Sequence, residues 1–257
     1  YLLFFMFMHK KKFLGKKMKK IIFLILTTLY ANAHFLTFMA NTDNIFNQKQ
    51  TKVNFDISFV HPFEQTGMVM EKPEVFVNSK NNKLNLSETT KFNQKAWSSS
   101  YEIKTPGIYK FFVQPQPYFE PSEEKFISHV PKLIISSFGL EDGWDEPIGL
   151  KYEIIPLIKP FGLYAGNLFQ GKVLHDGKVA SNTEVEVELY NEFGLKAPTD
   201  SHITQVVKTD ANGVFSFVMN HKGWWGFAAL IEEGELKYTD GKNYPVENGA
   251  LIWVKAY

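Results

Sequence analysis

The sequence predicts an all-β protein: two consecutive β-sandwich, immunoglobulin-like domains behind a secretory signal peptide. Three observations carry this. Apolar and polar residues alternate with period two in several short segments. Turn residues separate those segments. No stretch keeps an apolar stripe of period 3.6 over a dozen positions. Short strands at regular spacing are the pattern of a sandwich.

The elements follow in chain order. Residues 1–33 read as upstream residues plus a signal peptide, with the true start at Met18. Met18-Lys19-Lys20 is a basic start, Ile21 to Leu26 an apolar run, and Ala31-Asn32-Ala33 an A-x-A cleavage box. The run is shorter than the roughly 20 apolar residues of a spanning helix. An uncleaved N-terminal anchor is the alternative reading. No Cys follows, which excludes lipid attachment there. The mature protein is therefore expected in the periplasm, not spanning a membrane.

A first sandwich is expected over 34–156. Val53 to His61 alternates, and Glu74–Val77, Gly107–Val113 and Lys132–Ile135 are further strand candidates. Asn78 to Asn82 and Thr105-Pro106-Gly107 read as turns. Pro160 and Gly162 mark a boundary, and a second sandwich is expected over 157–257. There the strand Asn167–Leu174 leads into His175-Asp176-Gly177-Lys178, a hairpin signal. Thr183–Tyr190 alternates strictly, with three Glu expected on a wet face. Thr209–Gly213 is a turn before a strand at Val214–Phe217, and His221–Ala229 leads into the next. This half resembles the immunoglobulin-like, carboxypeptidase-regulatory type of module, which binds or spaces more often than it catalyses.

Composition narrows the function. The chain contains no Cys, so disulfides, cysteine zinc sites and a thiol nucleophile are excluded. All 28 basic residues are Lys, which removes bidentate guanidinium contacts to phosphate. Seven Lys lie within the first 33 residues, so the mature chain carries 21 Lys against 27 acids, a charge of −6. Such a surface repels nucleic acid and favours cations. Gly-x-Ser-x-Gly, His-Glu-x-x-His, Gly-x-Gly-x-x-Gly and Walker sequences are all missing, so no enzyme is expected.

Metal ligation is the chemistry that remains. Cleavage after Ala33 would make His34 the first residue, offering an α-amine and its own imidazole to one ion. Such nitrogen donors suit nickel, cobalt, copper and zinc. His61 shares the parity of Val53, Phe55, Ile57 and Phe59 and ends their strand before Pro62. It is either a ligand or a hydrogen-bonded core residue. His129 completes a three-histidine set if the strands converge, and is otherwise a surface-loop residue. Met68 and Met70 share one face and read as core filler or as soft-metal thioethers. Glu64 and Glu71 flank them and read as solvated. His175 and His202 sit in polar, turn-like segments and read as exposed, while His221 is expected to pack on an aromatic ring. The acidic turn Glu141–Glu146 lacks the ligand spacing of a calcium loop and reads as solvated. The doubled Trp224-Trp225 has no assignment.

Taken together these motifs resemble a family of periplasmic proteins that carry a domain of unknown function and are often encoded beside nickel or cobalt importers. The resemblance rests on Ala33-His34-Phe35, on His61-Pro62-Phe63-Glu64 with Met68-x-Met70 and Lys72-Pro73, and on His129-x-x-Lys132. It continues through Gly143-Trp144-Asp145-Glu146-Pro147-Ile148-Gly149, Glu153 to Leu157 and Gly171 to Lys178, and ends with Thr209-Asp210-x-x-Gly213 and Gly223-Trp224. It covers nearly all of the mature chain. It implies a metal-uptake component that delivers Ni²⁺, or Co²⁺, to an inner-membrane importer. His34, His61 and His129 are the metal ligands this reading selects, with Cu²⁺ a further candidate ion. Two rival readings stand beside it. One is a copper-dependent mono-oxygenase built on an N-terminal histidine brace. The other is a metal-free structural or adhesive sandwich.

Overall fold

A computed structural model describes residues 33–257. The expected leader, apart from Ala33, lies outside the described residues. The first strands are β1 (Phe35–Ala40), β2 (Asn44–Ile45), β3 (Lys52–His61), β4 (Thr66–Met68), β5 (Glu74–Val77) and β6 (Ser79–Leu84). Next come β7 (Ser87–Lys91), β8 (Gln94–Glu102), β9 (Gly107–Gln114), β10 (Tyr118–Glu120) and β11 (Lys125–Ser137). The later strands are β12 (Tyr152–Pro156), β13 (Leu168–His175), β14 (Lys178–Val179), β15 (Glu184–Leu189), β16 (Gln205–Lys208), β17 (Val214–Val218), β18 (Gly223–Lys237) and β19 (Asn243–Ala256). Among the described residues no helix is long and apolar enough to cross a membrane.

The strands form three sheets. The first runs β1-β3-β8-β7, with β4 added to β3. The central sheet runs β16-β15-β18-β19-β11-β9-β5-β6, with β10 and β2 also on β11. The third is β12-β13-β14, with β17 on β13. Chain from either side of residue 157 meets in the central sheet. There β11 and β19 pair in parallel, from Phe126 opposite Val246 to Lys132 opposite Ile252.

Two apolar cores lie on the two faces of this sheet. One joins it to the first sheet through Phe35, Phe38, Phe55, Phe111, Leu251 and Trp253. The other joins it to the third sheet through Ile154, Phe169, Phe215, Phe227, Ile252 and Val254. Successive residues of a strand point to opposite faces, so β18 and β19 feed both cores. This accounts for the doubled tryptophan: Trp224 packs in the first core and Trp225 in the second. It also accounts for the unbroken apolar run Ala250 to Val254, which is buried throughout.

One expectation is corrected. The glutamates of β15 do not share a wet face. Glu184 is exposed, but Glu188 is 1% exposed. That side of the strand is covered by the chain after His61. The backbone N–H of Phe63 donates to the Glu188 carboxylate at 3.3 Å, and the Thr204 hydroxyl donates to its other oxygen.

Candidate metal centre at the start of the first strand

His34 directly precedes β1, the edge strand of the first sheet. The antiparallel pairing of β1 with β3 places Phe35 opposite Val60, so His34 falls beside His61 at the end of β3. Their ring centroids lie 4.8 Å apart. His34 is buried and stacks on Phe59 at 6.0 Å. The His61 Nδ1 lies 2.9 Å from the carbonyl oxygen of Ala33. The parity argument for His61 thus led to the right face, and the residue waiting there is His34.

Carboxylates surround the pair. Glu120 Oε2 lies 3.3 Å from His34 Nε2, and Glu123 Oε1 lies 3.8 Å from His34 Nδ1. Burial, reinforced by the neighbouring His61, lowers the His34 imidazole to about 4 against the opposing pull of the two glutamates. The ring is therefore neutral at neutral pH, with one nitrogen carrying a proton and the lone pair of the other available to a cation. Burial tends to raise the Glu120 carboxyl, but the Ser122 hydroxyl and N–H outweigh it and hold the group ionised.

His129 is not in a surface loop. It stands in β11, 2% exposed, on the face that also carries Ile127 and Leu133. Its ring meets Phe35 edge-on at 6.5 Å. Its Nε2 lies 3.4 Å from Glu247 Oε1, while its Nδ1 has no partner among the described residues. Glu247, salt-bridged also to Lys125, is ionised: burial would raise it, but His129 and Lys125 draw it down to about 2. The structure thus brings His34 and His61 together, and sets His129 on the facing sheet, with its Nε2 toward Glu247 and near enough to His34 to help lower that imidazole. Nothing local marks Glu247 in the sequence, since it lies 118 residues from its partner.

Among the described residues, one group of three presents ligand atoms all within 4.8 Å of one another: His175, Asp176 and Glu233. It joins the β13–β14 turn to β18. His175 Nε2 lies 2.9 Å from Glu233 Oε2 and 3.5 Å from Asp176 Oδ2. The same Glu233 oxygen accepts from the Tyr152 hydroxyl and, at 2.9 Å, from Lys151. The Tyr152 hydrogen bond and Lys151 hold this carboxyl down at about 2. A carboxylate saturated by three donors on the surface is a structural network. His202 hydrogen-bonds the Thr199 hydroxyl at 2.8 Å. His221 packs on Phe193 at 5.2 Å, as expected of it. Met70 is core filler, and Glu64 and Glu71 are exposed.

The class defined so far is an all-β protein of three packed sheets, with a buried His34 beside a half-buried His61. The chain belongs to the family described as "Domain of unknown function (DUF4198)", which matches residues 31–233. No curated protein matches it. Among solved structures it is similar to the D0-D1 domain of intimin, at 14% identity and TM-score 0.26, covering 88% of this chain and all of that one. It is also similar to the Yersinia pseudotuberculosis adhesin InvE, at 11% identity and TM-score 0.26, covering 83% and 58%. The major pilin subunit BcpA of Bacillus cereus is similar at 10% identity and TM-score 0.22, covering 88% and 67%. Likenesses this distant add nothing to what the strands themselves define.

Proposed function

We propose that the protein is a non-enzymatic, periplasmic metal-binding component that captures Ni²⁺, or Co²⁺, as cargo for an inner-membrane importer. In this reading export and cleavage after Ala33 create the site. The observation that supports it is the 2.9 Å approach of His61 Nδ1 to the Ala33 carbonyl. That carbonyl belongs to the peptide bond that cleavage would break, and the His34 nitrogen is bonded to the same carbon. Cleavage would remove the oxygen occupying His61 and leave a free amine in its neighbourhood. The donors would be the His34 amine and imidazole and the His61 imidazole, with Glu120 offsetting the cation's charge. Nitrogen donors of this kind suit nickel, cobalt and copper. Nickel is the ion the family resemblance implies. His129, named beside them from the sequence, stands in β11 with its Nε2 3.4 Å from Glu247 and is the third histidine donor of this reading.

The test compares protein beginning at His34 with protein beginning Met-His34, titrated with Ni²⁺ in a calorimeter at pH 7.5. The blocked amine should cost at least tenfold in affinity, about 1.4 kcal/mol. Equal affinities would rule out the N-terminal chelate.

A further inference from the structure

We propose that the end of the molecule away from the histidine pair docks on an anionic phospholipid surface. Phe46 enters the headgroup layer, and Lys49 and Lys52 meet lipid phosphates. The proposal goes beyond metal capture and does not rest on it.

The strand register fixes which loops share this end. β3 begins there at Lys52 and ends at His61 beside His34, a ten-residue strand of roughly 30 Å. The segment 41–51 is tied to its neighbours by hydrogen bonds. Ile103 N–H donates to the Thr51 carbonyl at 2.9 Å, Phe138 N–H to the Ile45 carbonyl at 2.6 Å, and the Tyr257 hydroxyl to Asp43 at 2.6 Å. Ala165 N–H donates to the Tyr257 carbonyl at 3.0 Å, which brings Tyr164 to the same end. These loops leave large apolar side chains in water: Phe46 is 83% exposed, Tyr164 69%, and Leu140 and Tyr257 each 47%. The backbone holds the Phe46 ring out. Its neighbour Ile45 is buried in the first core and pairs with Ser137 of β11, so the next side chain points away.

Phe46 lines a pocket of about 630 Å³ together with Lys49, Lys52, Asn47 and Gln50. Both lysines and the nearby Lys104 are exposed. The acid in the lining, Glu102, accepts from the Thr51 hydroxyl. Glutamates crowd the opposite end instead: Glu64, Glu71, Glu120, Glu123, Glu124 and Glu247. With 21 Lys against 27 acids from His34 onward, the chain is anionic overall, yet it turns a locally basic end toward an anionic surface and its acidic end away. Lysine meets phosphate as a point charge. Near an anionic leaflet such charges attract over about a Debye length. Aromatic and basic side chains presented together are the pattern of a protein lying in the lipid interface. Here the apolar side chains project from separate loops around a polar pocket, a shape suited to a headgroup layer rather than to an apolar segment of a partner.

The test is co-sedimentation with vesicles of the protein beginning at His34, which holds all three sheets. Excess EDTA ensures that no metal bridges protein to lipid, and NaCl is kept at about 0.1 M, where charges act over about 10 Å. Vesicles of equal parts phosphatidylglycerol and phosphatidylcholine should bind at least tenfold more tightly than phosphatidylcholine alone. Phe46→Ser and the double variant Lys49→Gln/Lys52→Gln should each weaken binding to the mixed vesicles at least tenfold. Their melting temperatures should not change, since all three side chains are exposed. Val69→Ser, at an apolar residue 56% exposed near the other end, should bind as the unaltered protein does. Equal binding to the two vesicle types, binding to neither, full binding by Phe46→Ser or by the lysine variant, or loss of binding in Val69→Ser would each overturn the proposal. So would a dimer in sedimentation velocity that Phe46→Ser disperses, which would assign this face to a second copy.

Discussion

Lys132 Nζ and Glu153 Oε1 meet at 2.7 Å between β11 and β12, with side chains 1% and 2% exposed. Glu153 also accepts backbone N–H groups from Ile148 at 2.9 Å, Gly149 at 3.0 Å and Leu150 at 3.2 Å. Burial opposes ionisation of the carboxyl, but Lys132 and these donors outweigh it and hold the group below its ordinary range. Burial presses Lys132 downward in turn. The pair anchors the loop that brings Ile148 and Leu150 against Phe112 and Val130. It lies on the opposite face of β11 from His129, so several of the motifs quoted from the sequence form a support for the site's strand.

A buried charge that loses its partner costs about 3–5 kcal/mol. Glu153→Ala and Lys132→Met should each destabilise the fold by that order. The double variant Lys132→Met/Glu153→Leu should lose clearly less than the sum, because no charge is stranded. Urea denaturation of the four proteins reads this directly. Single variants within about 0.5 kcal/mol of the parent, the usual range for surface changes, would show the pair to be dispensable.

Glu188 responds to pH in the opposite sense to a surface glutamate. Burial raises its carboxyl from 4.5 to about 8, against the hydrogen bonds from Thr204 and Phe63. The folded protein keeps this proton up to about pH 8, while the unfolded chain releases it near 4.5. Folding therefore takes up a proton within that window, and stability falls as pH rises through it. Glu188→Gln removes the ionisable group. The variant should gain on the parent protein in urea midpoint at pH 8 and show little gain at pH 5. The same difference at both values would refute a proton held on Glu188.

The Gly249 backbone lies against the face of His129. A β-carbon at that position would stand 2.4 Å from Cδ2 and 2.7 Å from Cγ, and the ring cannot retreat because Phe35 closes its edge. Gly249→Ala should cost about 1–3 kcal/mol, the usual range for overpacking. Adding His129→Ala should relieve much of that penalty. Thermal denaturation of the two single variants and the double variant checks the coupling. Additive losses would mean that the ring is free to move aside.

Much of the candidate site was legible as residues and little of it as geometry. His34 stood out because it follows an A-x-A box, and His61 because it ends an alternating strand. The phenylalanines and carboxylates around them were not visible. Phe35 and Phe59 come from β1 and β3, but Glu120 and Glu247 come from β10 and β19, far along the chain, and β19 carries no period-two signal in its apolar run. Alternation alone puts Glu188 on a wet face, because it marks two faces of a strand and does not say that both are covered.

The sequence by itself determined the class of fold, the strand segments that alternate, and the turns whose residues demand them. Asp176 and Gly177 are a plain instance, with φ of 49° and 72° in the β13–β14 hairpin, where an Asp-Gly pair tolerates the left-handed region. It also determined that His34 follows an Ala-x-Ala sequence. Only the tertiary structure decided which strands pair, that β11 and β19 join chain from both sides of residue 157 in one sheet, and that His34 meets His61 while His129 meets Glu247. The reason is physical. A period-two pattern encodes the face of a strand, whereas its partner is chosen by burial and register across the whole chain, and where both faces are buried even the pattern disappears.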